Sequence, residues 1–359
     1  MKTSDIIRKI ITILYGFFIL IAPLQAATAE QETRKKELHQ NFKVGTADLF
    51  KADNRYGNIT IGYWDKNQVD VVVVIEAKAK KGDIAQELVD RVHIEFKQQN
   101  GTVSVVTSLE NRMNMKGNNM TFSVNYKVTL PAKLNASLQQ KYGNIYMPAE
   151  NLGKYKLEAK YGDIEAGNFV QPLTVESAYG RVALQNLVKL ELNGSYSPDI
   201  DIKSVENAFL NCKYSSTTID QVNNIEMDDS YGSVTIGKLN TGSFEMKYGS
   251  IQITDLVKSF VADEFDYSKL RIRNIAPSFE KINMETRYSN VTLSLPKTAA
   301  FNVKAENMKY GQSRIESEFK ITDDVKEDGN YLRATVNGGG KGNIYFDGGN
   351  YSNMKIKAL

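Results

Sequence analysis

The stretch KYGDIEAG at residues 160–167 decides the fold, because closely similar phrases recur along the chain. They are KYGNIYMP at 141–148, SYGSVTIG at 230–237 and KYGSIQIT at 247–254, and RYGNITIG stands alone upstream at 55–62. With the tyrosine as a marker, ten positions follow one another at spacings of 17 to 22 residues: Tyr142, Tyr161, Tyr179, Tyr196, Tyr214, Tyr231, Tyr248, Tyr267, Tyr288 and Tyr310. Such a regular period indicates a repeat architecture in which each unit packs on the next.

The apolar residues keep a fixed phase around each marker tyrosine. Before Tyr231 they lie at even distances, as Ile225 and Met227 do. After it they lie at odd distances, as Val234 and Ile236 do. Alternation predicts strands with one buried face, but a straight strand cannot change parity. The chain is therefore expected to turn a corner at each tyrosine.

These units predict an all-β protein, a single-stranded parallel β-helix (β-solenoid) of about ten coils of 17–22 residues. A right-handed helix is favoured, because a left-handed one needs three nearly identical sides and here one side varies in length. The residue after the tyrosine is Gly or Ser, which predicts a need for a small residue rather than for positive φ. The tyrosines are expected to stack as a ladder, with Tyr161 and Ile164 turned inward.

The pattern divides the chain into four segments. Residues 1–29 read as a signal peptide, 30–135 as a β-rich cap continuous with the solenoid, 136–318 as the repeats and 319–359 as capping strands. The cap is predicted because a solenoid whose terminal coil is uncovered would present an open strand edge.

The cap region has its own local signals. Alternating strands are predicted at 68–80 and 120–131, and helical spacing at 83–92 predicts one short helix, with Asp83 as its cap. Asn100-Gly101 is typical of a tight hairpin between two further strands.

Residues 1–29 have the pattern of a Sec-type signal peptide. Positive residues precede an apolar run at 10–22, and Ala26 and Ala29 offer small-residue cleavage sites. The run falls short of the roughly 20 residues that span a bilayer, although an uncleaved anchor is the alternative. No later segment is long and apolar enough for a membrane helix, so no stable membrane insertion is expected after cleavage. The mature protein is expected in the periplasm, at the cell surface or in the medium.

Composition limits the possible partners. The sequence has 359 residues and a formal net charge of +3. The segment 1–29 carries three positive charges and one negative charge, so the rest of the chain has a net charge of +1. A nearly neutral chain has no electrostatic reason to bind nucleic acid. The one cysteine, Cys212, excludes an intramolecular disulfide framework and is expected to be a buried thiol.

One row of polar residues is the first candidate site. The positions three before each tyrosine are expected to stack in one line: Glu158, Glu176, Asn193, Asn211, Asp228, Glu245, Glu264 and Glu285. Lys160, Lys213, Lys247 and Arg287 lie one residue before their tyrosines. The row is interpreted first as a solvated face that resists wrong pairing, and alternatively as a groove for a cation or a basic ligand.

A basic patch is the second candidate. Lys269, Arg271 and Arg273, with Arg287 one coil on, could contact an anionic glycan. The outward positions of the strands after the tyrosines are rich in hydroxyls, without acids clustered on adjacent coils, so no catalytic residue is assigned. With two histidines in the chain, neither a metal site nor a cofactor is expected.

The chain after residue 29 resembles bacterial families designated "putative adhesin", of unknown function and common in Bacteroidetes, that form exported β-helices. The resemblance rests on RYGNITIGYWDKNQVDVVVVIEAKAK, on the short helix, on YKVTLP and on the YG[ND]I coils. It implies a β-helix and assigns no active site.

The leading hypothesis is an exported, non-catalytic binding or scaffold module whose partner is a glycan or a cell-envelope protein. One alternative is a polysaccharide lyase or hydrolase of the β-helix type, and the other is a periplasmic component of an envelope signalling system. The ligand and the oligomeric state stay open.

Overall fold

The computed structural model describes residues 31–110, 120–327 and 331–359. The predicted signal peptide and most of the polar stretch 110–119 lie outside the described residues.

The N-terminal part joins antiparallel and parallel strands. Its elements are β1 (Glu32–Lys43), β2 (Leu49–Arg55), β3 (Ile59–Trp64), β4 (Gln68–Ala79), α1 (Gly82–Asp90), β5 (Val92–Gln99), β6 (Thr102–Leu109) and β7 (Thr121–Pro131). Strand β4 pairs antiparallel with β1 and β7, and β5 pairs antiparallel with β6. Asn100 and Gly101 both have positive φ, as the tight hairpin requires. The helix agrees with the prediction, but Lys81 is its N-cap, so the assignment of Asp83 as the cap was wrong.

The central part is a stack of parallel strands. They are β8 (Asn135–Lys141), β9 (Ile145–Tyr146), β10 (Glu150–Asn151), β11 (Tyr155–Lys160), β12 (Ile164–Ala166), β13 (Asn168–Phe169), β14 (Leu173–Ala178), β15 (Val182–Ser195), β16 (Ile200–Lys213), β17 (Ser216–Ser230), β18 (Ser233–Lys247), β19 (Ser250–Asp266), β20 (Lys269–Ile275), β21 (Lys281–Arg287) and β22 (Asn290–Leu295). Each of β15–β18 pairs in parallel with its successor along most of its length. Strands β2 and β3 join the same stack through β8 and β9.

The C-terminal part again mixes directions. Its strands are β23 (Phe301–Glu306), β24 (Gln312–Ile315), β25 (Ile321–Glu327), β26 (Tyr331–Val336), β27 (Gly342–Asp347) and β28 (Asn353–Ala358). Strand β26 pairs antiparallel with β23 and β25, whereas β27 and β28 extend the parallel stack from β21 and β22. The described residues therefore form an all-β fold with one helix, as predicted. The sheet is mixed, because hairpins flank its parallel centre.

The corner lies at the tyrosine itself. Twelve tyrosines adopt left-handed backbone angles, with φ between 51° and 62°. An L-residue in this region costs about 1–2 kcal/mol. The following residue is small for a different reason, since a Cβ on Gly162 would lie 1.9 Å from the carbonyl oxygen of Gly143. The predicted need for smallness is confirmed, and the positive φ belongs to the residue before it.

Where serine follows the tyrosine, hydrogen bonds accommodate its side chain in the crowded corner. Ser215 and Ser268 are buried, and their hydroxyls accept backbone N–H groups of the preceding corner, from Ser197 at 3.2 Å and from Gly249 at 3.1 Å. The Ser side chain is thus tolerated because it satisfies a buried donor that would otherwise lack a partner.

The core is built from inward columns of apolar side chains. Ile164 is fully buried, as predicted. One column runs from Gly194 through Cys212 and Asp229 to Met246 on successive strands. Burial raises the pKa of the Cys212 thiol to about 12. Asp229 is fully buried and neither of its carboxyl oxygens has a hydrogen-bond partner. Burial raises its pKa to about 7, and the nearby Asp228 carboxylate reinforces the shift.

Candidate binding face

The candidate face is the outward surface of the strand segments that precede the ladder tyrosines. Its residues lie one, three and five positions before each tyrosine, because strand side chains alternate between the two sides of a sheet. In β11, for example, Lys156, Glu158 and Lys160 point outward while Tyr155, Leu157 and the intervening alanine are buried.

A continuous tyrosine ladder borders this face. Neighbouring rings are stacked, with centroids 4.7–5.4 Å apart, in the order Tyr56, Tyr142, Tyr161, Tyr179, Tyr196, Tyr214, Tyr231, Tyr248, Tyr267, Tyr288, Tyr351 and Tyr310. The predicted stacking is therefore confirmed, but the predicted inward orientation of Tyr161 was wrong, because 43% of this residue is exposed. A residue at the corner belongs to neither side of the strand, so its ring lies along the outer edge.

The acidic row is brought together by the strand register. Cα pairing joins Glu158 to Glu176 and continues through Asn193, Asn211, Asp228 and Glu245 to Glu264. Glu285 is offset, since the register shifts between Ala262 and Phe265 and places it opposite a two-residue bulge. Seven of the eight predicted positions thus form one line along the face.

Several carboxylates of the row already have partners. Lys156 contacts Glu176 with 2.7 Å between Nζ and Oε1, and Gln139 donates to Glu158 at 2.8 Å. Lys247 forms an ion pair with Glu264, which holds the pKa of that carboxyl below its usual value. These contacts agree with a solvated face whose charge is partly neutralised.

Two open grooves lie along the row. The amide groove, of about 480 Å³, is lined by Glu158, Lys160, Glu176, Ala178, Asn193, Ser195, Asn211 and Lys213 together with the strand backbone between them. The phenylalanine groove, of about 410 Å³, continues from Asn193 and Asn211 past Phe209 to Asp228 and Glu245. Phe209 is 44% exposed, and the Lys189 ammonium lies 5.2 Å from its ring centroid.

The basic patch lies on the other side of the ladder. Lys269, Arg271 and Arg273 alternate outward on β20, and Arg273 donates to the Gln252 side chain at 3.3 Å. Arg287 does not join them, because its guanidinium lies 2.6 Å from the Asp266 carboxylate on the face side of the tyrosines. Arg287 is therefore part of the face and not of the patch.

The first residues of the row that lies one position before the ladder tyrosines were not predicted from the sequence. Arg55 pairs with Lys141, and Lys141 with Lys160, so three cations follow one another on adjacent strands. RYGNITIG at 55–62 was the available signal, but its distance along the chain suggested an isolated copy. Tyr351 was also missed as a rung, because NYSN departs from the YG phrase.

Within residues 31–110, 120–327 and 331–359, no three His, Cys, Asp or Glu side chains are grouped so that they could hold a metal ion. In the same described residues, no helix has the length and apolar character needed to cross a membrane.

Neither a protein-family model nor a curated protein sequence matches this chain. Solved structures do resemble it. A putative cell adhesion protein from Clostridium sporogenes is 11% identical, with 91% of this chain and 100% of that chain covered and a TM-score of 0.20. A putative adhesin from Bacteroides fragilis is 15% identical, with 71% and 96% covered and a TM-score of 0.32. A putative lipid binding protein from Parabacteroides distasonis is 13% identical, with 71% and 96% covered and a TM-score of 0.31.

These names agree with the resemblance to adhesin families that the sequence predicted. At such identities and TM-scores the likeness carries no argument about function, so the function is argued from this chain's own residues.

Proposed function

We propose that this chain is an exported, non-catalytic binding module. Its parallel strands wind as a right-handed β-helix whose long outer face holds a glycan or a protein of the cell envelope. Export follows from the signal-peptide pattern of residues 1–29, and the mature chain acts in the periplasm, at the cell surface or in the medium.

The register supports the winding. Strands β15, β16 and β17 each pair with the following strand in three segments, with one unpaired position between segments, and the pairing keeps its parallel register from the first segment to the last. A chain that advances by one strand spacing per turn gives this pattern, whereas a flat sheet would need a crossover between neighbours.

The tyrosine ladder is the observation that carries the binding role. Eleven of its rings belong to residues that are 42–69% exposed, although each stacks on its neighbours and lies on a backbone with positive φ. Beside them run parallel rows of polar side chains at strand spacing, roughly 4.8 Å. A periodic edge of this kind matches an extended polymer, because both repeat along one axis. Because the edge is rigid, little conformational entropy is lost from the protein on binding.

The test uses residues 30–359 as purified protein on a glycan array and on immobilised cell-envelope fractions, with product analysis of every glycan that is retained. Retention without product is expected. Release of shortened or unsaturated sugars would show that the protein cleaves the glycan, and the lyase or hydrolase alternative would then be correct. Retention by an envelope protein and by no glycan would support the binding role with a protein as the partner. Fractionation of the producing cells tests export, which fails if the protein stays in the cytoplasm.

A further inference from the structure

The amide groove differs from the rest of the face at the row next to the tyrosines. Register pairing places Lys160, Ala178, Ser195 and Lys213 on four consecutive strands. The backbones of Lys160 and Lys213 therefore lie roughly 14 Å apart, three strand spacings, with only short side chains between them. Ala178 and Ser195 occupy positions that are Lys or Arg on several other rungs, and their small size opens the floor of the groove.

The cations in the row next to the tyrosines differ in whether they form ion pairs. Lys160 and Lys213 have no carboxylate within ion-pair distance among the described residues, whereas Lys247 and Arg287 of the same row are paired. The carboxylates beside the groove are engaged elsewhere, Glu176 by Lys156 and Glu158 by Gln139. The ammonium groups are thus available to an anion, although that of Lys160 also lies 5.4 Å from the Tyr161 ring centroid. Of the carboxylates that could repel the anion, Lys156 offsets the charge of Glu176, whereas the neutral Gln139 only hydrogen-bonds to Glu158.

The cation column continues beyond the groove. Arg55 and Lys141 precede Lys160 on adjacent strands, and like charges directly opposite one another destabilise a sheet. No ion pair relieves this repulsion among the described residues. A structural role does not account for three stacked cations, but a bound anion would.

The remaining wall suits hydroxyl groups. The acidic row changes from carboxylate to amide at Asn193 and Asn211, beside the open floor. Amides both donate and accept hydrogen bonds, which matches sugar hydroxyls better than a carboxylate does.

We infer that the amide groove binds an acidic glycan, a chain of uronate-bearing sugars laid along the strand stack. Its carboxylates meet Lys160 and Lys213 in charge-assisted hydrogen bonds, and its hydroxyls meet the two asparagine amides. Nucleic acid fits less well, since the whole chain has a formal net charge of only +3 and phosphate binding depends on many cations. This inference rests on the proposed binding role and names its ligand class.

The probe is an α-1,4-linked oligogalacturonate, with its methyl ester as the uncharged counterpart, titrated against residues 30–359 by calorimetry. Lys160→Gln and Lys213→Gln should each weaken binding about tenfold or more, because each loses a hydrogen bond to a charged group. Lys203→Gln is the control, an exposed lysine of β16 on the other side of the tyrosine ladder, and should leave binding unchanged. The methyl ester should bind at least about tenfold more weakly than the acid.

Ala178→Lys separates a groove from a mere electrostatic patch. The change adds positive charge but fills the floor with a side chain that the same row carries at other rungs. A groove predicts weaker binding by this variant, and thermal unfolding checks that it stays folded. Tighter binding by Ala178→Lys, no binding by the wild type, equal binding of the methyl ester, or equal binding of single-stranded DNA of the same charge would each overturn the inference.

The proposed binding role is tested separately, by retention of the protein on the envelope fractions and on the glycan array. If the wild type is retained on the envelope fractions or the array, and the Lys160→Gln and Lys213→Gln variants are retained equally well, the groove assignment is wrong and the binding role stands. If the wild type is retained on neither, the binding role itself is wrong.

Discussion

Tyr56 stacks on Tyr142, with ring centroids 5.1 Å apart and an angle of 8° between the rings, although strands β3–β8 and α1 lie between them in the chain. The N-terminal strands therefore begin the same ladder that the repeats continue. At the other end Tyr351 lies between Tyr288 and Tyr310, so the order of the rungs there differs from the order of the sequence. The ladder joins all three parts of the described chain along one edge.

The ladder predicts how a rung responds to substitution. Tyr231→Ala loses two stacked contacts, worth about 0.5–1.5 kcal/mol each, and keeps the strained backbone of φ 61°. Tyr231→Gly loses the same contacts but relieves the strain, so it should be more stable than the alanine variant by about 1 kcal/mol. Urea denaturation measures the difference. Tyr231→Phe should match the wild type, and equal midpoints for Ala and Gly would contradict the assignment of strain to the tyrosine.

Close approach of neighbouring corners predicts a large effect at Gly162. A Cβ there would lie 1.9 Å from the Gly143 carbonyl oxygen, so Gly162→Ala should destabilise the protein by about 3 kcal/mol or more. Gly62→Ala is the control on a strand, where the nearest atom would be 3.8 Å away. The account of the corner is wrong if both variants have the same melting temperature.

Much of this fold is readable from local pattern. The parity change located the corner, and Asn100-Gly101 located the hairpin, because both depend on a few neighbouring residues. The long edge strand β1 was missed, since its ETRKKELHQNFK sequence is mostly polar and its pairing with β4 depends on residues distant in sequence. The exposure of Tyr161 was misjudged because alternation assigns no side to a corner residue.

The candidate site was only partly readable. The spacing of the tyrosines predicted that the acidic residues would align in one row. It did not predict the bulge that displaces Glu285, because that bulge depends on an insertion in β19 alone. Arg55 and Lys141 joined the row only once Tyr56 was found beside Tyr142. Which cations are ion-paired and which are free is a property of side-chain geometry, and no spacing in the sequence contains it.

Buried Asp229 predicts a pH dependence of stability. Its pKa is about 7 in the folded state against 3.8 for an unperturbed aspartate, so folding favours the protonated form. Stability from this group is complete below about pH 4, falls as pH rises and is lost above about pH 7. Asp229→Asn should therefore be more stable than the wild type at about pH 8, by at most about 4 kcal/mol, and should converge with it near pH 4.

Chemical denaturation across this pH range checks the prediction, with Asp220→Asn, an exposed position of the same strand, as the control. Parallel stability curves for the wild type and Asp229→Asn would show that the buried carboxyl finds a partner in solution.

The thiol of Cys212 should be inert in the folded protein. Burial raises its pKa to about 12, so at neutral pH almost none of the reactive thiolate is present. A thiol reagent should therefore label the native chain only as fast as it opens, and at once in denaturant. Rapid labelling of the native protein would place Cys212 at the surface instead of in the core column.

The central claim is that the face binds an extended acidic glycan and leaves it intact. The most direct measurement incubates residues 30–359 with polygalacturonate and follows protein and polysaccharide together by size-exclusion chromatography. The account predicts co-elution with the polymer length unchanged, and loss of co-elution in the Lys160→Gln, Lys213→Gln double variant. A shortened polymer, or a wild-type protein that elutes apart from the polymer, would contradict it.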